Sequence, residues 1–167
     1  MTPEQFVKDN LPYALMVEKI KGLHHEIILT QAAAESAWGS KAVGNNFFGI
    51  KDTDGINGNE QLITTTEYLS APNKKFPQII SVVKVAANKW KYKVKDWFRK
   101  YNTAEQSFLD HADFFERNPR YATALLFKNN PDRFFEEIQK AGYATDPNYA
   151  KNLKEVRKSV VKRIPKK

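Results

Sequence analysis

Glu35 stands in the stretch Gln31-Ala-Ala-Ala-Glu35-Ser-Ala-Trp38-Gly39-Ser40, a single carboxylate among small apolar residues. Desolvation disfavours the charged form, so a lone carboxyl in such surroundings tends to keep its proton. An acid still protonated near neutral pH is what protonation of a glycosidic leaving oxygen demands. Gln31, Glu35 and Trp38 lie at helical spacing and are expected to share one face, a cleft wall of two polar groups beside an indole. The plainer alternative is a surface glutamate on an exposed helical stripe. Directly after comes Gly44-Asn45-Asn46-Phe47-Phe48-Gly49-Ile50-Lys51, a turn rich in Asn and aromatic residues. Asn45 and Asn46 suit the turn and could also hydrogen-bond sugar amides. Trp38, Phe48 and Tyr68 could line a groove on which sugar rings stack, with core packing the alternative for Phe48.

A second carboxylate, Glu67, lies in Gln61-Leu-Ile-Thr-Thr-Thr-Glu67-Tyr68-Leu69, a run of β-formers. Strand alternation sets its side chain opposite those of Thr66 and Tyr68. It could activate water as a general base, hold a substrate acetamido group, or pair with a lysine across the sheet. Tyr121 and Tyr143 could position water or a sugar hydroxyl, or serve as core tyrosines with paired hydroxyls. Other chemistries are poorly represented. The chain has no cysteine, which excludes disulfides, thiolate catalysis and Cys-zinc sites. His24-His25-Glu26 begins like a zinc-protease motif, but position 29 is Leu and the second ligand is missing. His111 follows Asp110 in a helical pattern and reads as structural. No Gly-rich phosphate loop occurs. The histidines thus make a poor metal case.

These residues need elements to hold them. Thr2-Pro3-Glu4-Gln5 is a helix start, with Thr2 as cap and Pro3 in the first position. The apolar set Phe6, Leu11, Leu15 and Ile20 predicts the buried face of a helix ending near Gly22. A second helix is predicted from His25 to Trp38, closed by Gly39, with Ala32, Ala33, Ala34 and Ala37 admitting close neighbours. Residues 60–101 read as a small antiparallel β-lobe. In Lys89-Trp-Lys-Tyr-Lys-Val-Lys95 lysines alternate with apolar residues, which points the two sets to opposite faces. Helices return at Thr103-Ala-Glu-Gln106, around Tyr121 to Phe127, at Pro131, and at Asp146-Pro147, where Asp146 is the expected cap of a basic last helix over 147–167. The expected class is α+β, mostly helical, in a single domain.

The chain carries a net charge of +8 and a pI near 9.5, which favours anionic partners or a solvated lysine surface. No apolar run approaches the ~18 residues a membrane span needs. The N-terminus lacks a basic region followed by an apolar one, so no signal peptide is expected.

Glu35-Ser-Ala-Trp-Gly-Ser and Asn45-Asn46-Phe-Phe-Gly-Ile-Lys51 together resemble the peptidoglycan N-acetylglucosaminidases of glycoside hydrolase family 73. Four further segments agree in order: Thr65-Thr66-Glu67-Tyr68, Phe98-Arg99-Lys-Tyr101 with Ser107-Phe-Leu-Asp110-His111, Arg120-Tyr121-Ala122, and Ala141-Gly-Tyr143-Ala-Thr-Asp146-Pro-Asn-Tyr149-Ala150. Residues 70–87 are an apparent insertion. The resemblance implies a lysozyme-like fold with a β-hairpin lobe that cuts β-1,4 bonds on the reducing side of N-acetylglucosamine. It implies Glu35 as catalytic acid, Glu67 as the second carboxylate and Tyr121 as a tyrosine of the cleft. It also implies that neither a metal nor an organic cofactor is needed. Gln31, Trp38, Asn45, Asn46, Phe48, Tyr68 and Tyr143 are the expected substrate contacts. The expected partner is the glycan strand of peptidoglycan, met by a monomer at the bacterial wall, with anionic wall polymers drawn to the lysine surface and no specific nucleic acid. The lack of a signal peptide suits a phage-type release or an excised domain. Two rivals stand beside this reading: a muramidase or lytic transglycosylase of the same fold, and a non-catalytic basic module binding wall or nucleic acid.

Overall fold

A computed structural model describes residues 1–167. The chain forms two compact units, one from Met1–Gly49 with Tyr101–Lys167 and one from Ile50–Lys100.

The first unit is helical. Helix α1 (Pro3–Lys21) opens as expected, the Thr2 hydroxyl accepting the Gln5 N–H at 3.1 Å. Gly22, at φ +73°, closes it. Its buried face is Phe6, Val7, Asn10, Ala14 and Val17, which corrects the expected set, since Leu15 and Ile20 are 45% and 58% exposed. The true series runs at three- and four-residue spacing through a polar and a small residue. Asn10 tolerates burial because its amide donates to the Phe6 carbonyl at 2.9 Å.

Helix α2 (His25–Glu35) buries Ile27 through Ala33 and touches α1. It ends at Glu35, three residues before the expected Trp38. Ser36 makes the stop: its hydroxyl donates to the Ala32 carbonyl at 2.5 Å and accepts the Gly39 N–H at 2.8 Å. Ala37 and Trp38 then adopt φ +48° and +56°, so Trp38 leaves the face that carries Gln31 and Glu35. Ala34 and Ala37 are exposed, which leaves Ala32 and Ala33 as the close-packing pair. A left-handed alanine costs about 1–2 kcal/mol, whereas glycine there costs roughly 0.5–1 kcal/mol of chain entropy. Ala37→Gly is therefore expected to raise the thermal midpoint by about 1–3 °C, measured by calorimetry.

Helix α3 (Ala104–Arg117) is capped by Thr103, whose hydroxyl accepts the Gln106 N–H. Asn118-Pro119 breaks it into a single 3-10 turn and the short α4 (Ala122–Leu125). Helix α5 (Pro131–Lys140) starts at its proline, capped by Asn130. Helix α6 (Tyr149–Val161) starts two residues later and ends earlier than the sequence suggests. Asp146 is not its cap; the Asp146 carboxylate accepts the Asn148 N–H at 2.8 Å and its carbonyl accepts the Tyr149 N–H. That turn places Tyr149 in the first position of α6. Phe108, Phe115, Phe134, Phe135, Ile138 and Leu153 are fully buried between these helices, each contributing about 1.5–3 kcal/mol of transfer free energy. Besides α1, helix α2 also touches α5 and α6.

The second unit is an antiparallel sheet of β1 (Glu60–Leu69), β2 (Gln78–Ala86) and β3 (Lys89–Arg99), in the order β1-β3-β2. The lobe is thus three strands rather than one hairpin, because the inserted segment supplies β2, which turns into β3 at Ala87-Asn88. The Tyr92 hydroxyl donates to the Ala71 carbonyl and accepts the Lys74 N–H, which ties the 70–77 loop to β3. Alternation holds as expected: Tyr92 and Val94 are buried, Lys89, Lys91 and Lys93 exposed.

Candidate active site

Glu35 occupies the last position of α2, half-buried. Burial raises its pKa above the usual carboxylate value; a hydrogen bond from the Tyr149 hydroxyl to Oε1, at 2.8 Å, acts in the opposite direction. The helix C-terminus carries partial negative charge and also disfavours a carboxylate. With Oε1 engaged as an acceptor, Oε2 is the atom left to carry and deliver a proton.

Behind Tyr149 runs a directional chain of donors. The Gln31 amide nitrogen donates to the Tyr149 hydroxyl at 3.4 Å, and the Gln31 oxygen lies 3.1 Å from His111 Nε2. An amide oxygen can only accept, so His111 carries its proton on Nε2. His111 is completely buried, which pushes its pKa down to about 3 and keeps it neutral. Phe48 stacks flat on its ring, centroids 4.0 Å apart. Each donor thus points toward Glu35, from His111 through Gln31 and Tyr149, an arrangement in which each bond polarises the next.

Tyrosines surround the acid. Tyr143 stacks on Tyr149 at 5.5 Å, and burial, followed by the charge of Glu35, holds its pKa well above the ordinary value. The Tyr121 ring is fully buried, edge-on to Phe115 at 5.2 Å, with the Arg120 guanidinium 4.9 Å from its centroid. Its hydroxyl is buried, which raises its pKa, while the adjacent Arg120 guanidinium acts in the opposite direction.

Of the residues singled out in the sequence, Gln31, Glu35, Phe48 and Tyr143 join this network directly, and Tyr121 meets it through Tyr143, the two rings tilted at 6.0 Å. Trp38 does not: its ring meets Phe6 edge-on at 5.7 Å and lies under the Arg163 guanidinium. The Asn45 amide donates to the Tyr101 carbonyl at 3.0 Å, which ties the loop to the chain ahead of α3, and the Asn46 side chain accepts the Phe48 N–H at 3.4 Å, which holds the loop's own backbone. Tyr149 was not singled out for chemistry. Its signal is present in Ala144-Thr-Asp146-Pro-Asn-Tyr149, but its partner lies 114 residues away.

Within the sheet unit, Glu67 forms an ion pair with Lys51 at 3.0 Å, and Lys51 also reaches Asp96 at 3.1 Å. The lysine comes from the segment bridged to Phe98 rather than from the facing strand position, which is Tyr92. Tyr68, 55% exposed, points to the opposite face. Glu18, His24 and His25 bring potential metal ligands within 4.8 Å of one another. His25 Nδ1 is paired with Glu18 at 2.6 Å, and His24 Nδ1 caps α2 by accepting the Glu26 N–H.

Comparison with known proteins identifies the family. The sequence profile of the glucosaminidase family, described as mannosyl-glycoprotein endo-beta-N-acetylglucosaminidase, matches residues 11–161. Peptidoglycan hydrolase FlgJ of Vibrio parahaemolyticus is 34% identical over 165 residues, covering 95% of this chain and 48% of the relative. The FlgJ of Pseudomonas aeruginosa is 33% identical over 160 residues, covering 92% and 36%. The chain therefore spans half or less of the length of these relatives. The solved glycoside hydrolase domain of Salmonella typhimurium FlgJ superposes with a TM-score of 0.70 at 28% identity, covering 97% of this chain and 90% of that one. The lysozyme-like α+β fold that carries Glu35 is thus shared, and the chain belongs to the glucosaminidase family of glycoside hydrolases.

Proposed function

We propose that this chain is a single catalytic domain that hydrolyses peptidoglycan as an endo-β-N-acetylglucosaminidase. It cuts the β-1,4 bond on the reducing side of N-acetylglucosamine. The observation that carries the reading is the half-buried Glu35, its pKa raised by burial and its Oε1 held by Tyr149. Oε2 delivers the proton to the leaving glycosidic oxygen, and the Tyr149 hydroxyl stabilises the carboxylate that forms. Tyr121 and Tyr143 orient the substrate or water beside the acid, and Gln31 and Phe48 hold it in place. Trp38, Asn45, Asn46 and Tyr68 are proposed as outlying substrate contacts.

Glu67 takes the second role, activating water or holding the acetamido group. Its support is the family resemblance and the Lys51 ion pair, which holds the carboxylate in position. Glu67→Gln is expected to lower wall hydrolysis by roughly 100-fold or more. Lys51 keeps Asp96 as a partner, so the unfolding temperature should hardly move. Undiminished turnover by a folded Glu67→Gln protein removes Glu67 from the mechanism and favours a transglycosylase.

The site of action is the bacterial wall, reached by a monomer without a cofactor, and no helix is long and apolar enough to cross a membrane. The decisive experiment is digestion of purified peptidoglycan with the new reducing ends read by mass spectrometry. Reducing-end N-acetylglucosamine supports the proposal. Reducing or anhydro muramic acid reassigns the bond, and an absence of new ends on every wall tested removes the enzyme reading.

A further inference from the structure

The central strand of the sheet carries Lys89, Lys91, Lys93 and Lys95 on one face. Side chains two apart on a strand are about 6.5–7 Å from each other, so the four ammonium groups form a row roughly 20 Å long. Their cross-strand neighbours on that face are Tyr68, Thr66 and Thr64 from β1, and Ala86, Val83, Ser81 and Gln78 from β2, none of them acidic. The sheet unit, residues 50–100, contains five acids, and each is engaged elsewhere. Glu67 and Asp96 hold Lys51, Asp52 and Asp54 face Arg99, and Glu60 accepts the backbone N–H groups of Asn57 and Gly58. None of the four lysines takes part in an ion pair within the protein. Four like charges in single file raise one another's energy, a cost that an opposing line of negative charge removes.

We propose that this row binds an extended phosphodiester polymer of the bacterial wall, of the poly(glycerol phosphate) type, one phosphate to each lysine. The choice of a wall polymer rests on the peptidoglycan reading above. The geometry rests on the sheet alone. Phosphates separated by a three-carbon unit can follow the two-residue lysine period, and the small hydroxyl side chains of Thr64, Thr66 and Ser81 flank the row with further donors. A nucleic acid fits this face less well, because single strands are held by bases stacking on aromatic rings along the basic track. Trp90 and Tyr92 point to the other face. On the lysine face the Tyr68 ring lies 5.1 Å from Lys89 Nζ, and Trp97 sits beyond the end of the row.

The test compares the wild-type chain with two quadruple variants of equal net charge. One replaces Lys89, Lys91, Lys93 and Lys95 with Gln; the other replaces the exposed Lys151, Lys162, Lys166 and Lys167 with Gln. Binding of purified poly(glycerol phosphate) is measured by calorimetry between 50 and 200 mM salt, with circular dichroism to verify folding. The row variant is expected to bind at least tenfold more weakly at 50 mM salt. The slope of log affinity against log salt should fall by about 3, at ~0.7 per lost phosphate contact. The tail variant should change less than twofold. Equal losses in both variants, or no wild-type binding at 50 mM salt, overturn the proposal. Tighter binding to a single-stranded DNA of the same phosphate number also overturns it, in favour of nucleic acid. Peptidoglycan stripped of the polymer separates this proposal from the catalytic one: the row variant should digest it at the wild-type rate.

Discussion

Glu35→Gln is expected to abolish wall hydrolysis by a factor of about 10²–10⁴ and, in the same protein, to raise the unfolding temperature at pH 7. Both effects come from one cause. Glutamine keeps the size and the hydrogen bond from Tyr149 but has no proton to deliver. Burial raises the folded-state pKa of Glu35 above the ordinary carboxyl value. A carboxyl of that kind contributes its full stability below the unfolded pKa, where both states are protonated. It loses that contribution as pH rises through the folded pKa, since charge must then be held in a desolvated place. The amide suffers no such loss. The melting curves of the two proteins should therefore coincide near pH 4 and separate as pH rises toward 7, the variant being the more stable. A folded variant that digests wall at the normal rate would remove Glu35 from the role of acid.

Tyr149→Phe should act on the same proton from the other side. The hydroxyl donates to Glu35 Oε1 and favours the ionised form. A hydrogen bond to a charged group contributes about 1.5–3 kcal/mol. Without it, the Glu35 pKa rises further. Activity requires the protonated acid, so the alkaline limb of the rate–pH profile is expected to move to higher pH. The maximal rate falls roughly tenfold, because the acid becomes weaker and its carboxylate product unsupported. A purely structural tyrosine would lower the rate without moving the limb, so the pH profile separates the two roles.

The local signals in the chain translated well into elements. Thr2-Pro3, Gly22, Thr103 and Pro131 begin or end helices where capping chemistry places them, and the lysine alternation from 89 to 95 survives intact. Glu35 was legible because a carboxyl among alanines is a local pattern. What local pattern could not supply was its partner. Tyr149 and His111 meet Gln31 only after α2, α3 and α6 assemble, and nothing near Glu35 announces those two. The early stop of α2 was hidden for a related reason. Two residues without glycine's freedom, Ala37 and Trp38, take left-handed backbone because the Ser36 hydroxyl and the Trp38 N–H, bonded to the Ala33 carbonyl, fix the turn. The face of α1 was misread because large aliphatic residues drew attention from Asn10 and Ala14, which carry the buried series. The third strand was obscured by an insertion whose β-formers, Ile79 to Val85, are exposed on both sides and so show no alternation.

The bond between Glu35 and Tyr149 spans 114 residues of chain, and proteins are made from the N-terminus onward. While the ribosome is still extending the chain, α2 can already exist, yet its carboxyl is an ordinary solvated glutamate. Only when α6 has been added and docked does the tuned acid come into being. In a nascent chain, or a copy clipped ahead of Tyr149, Glu35 lacks the hydroxyl that holds its Oε1, so this hydrogen-bonded arrangement is complete only once the last helix is in place.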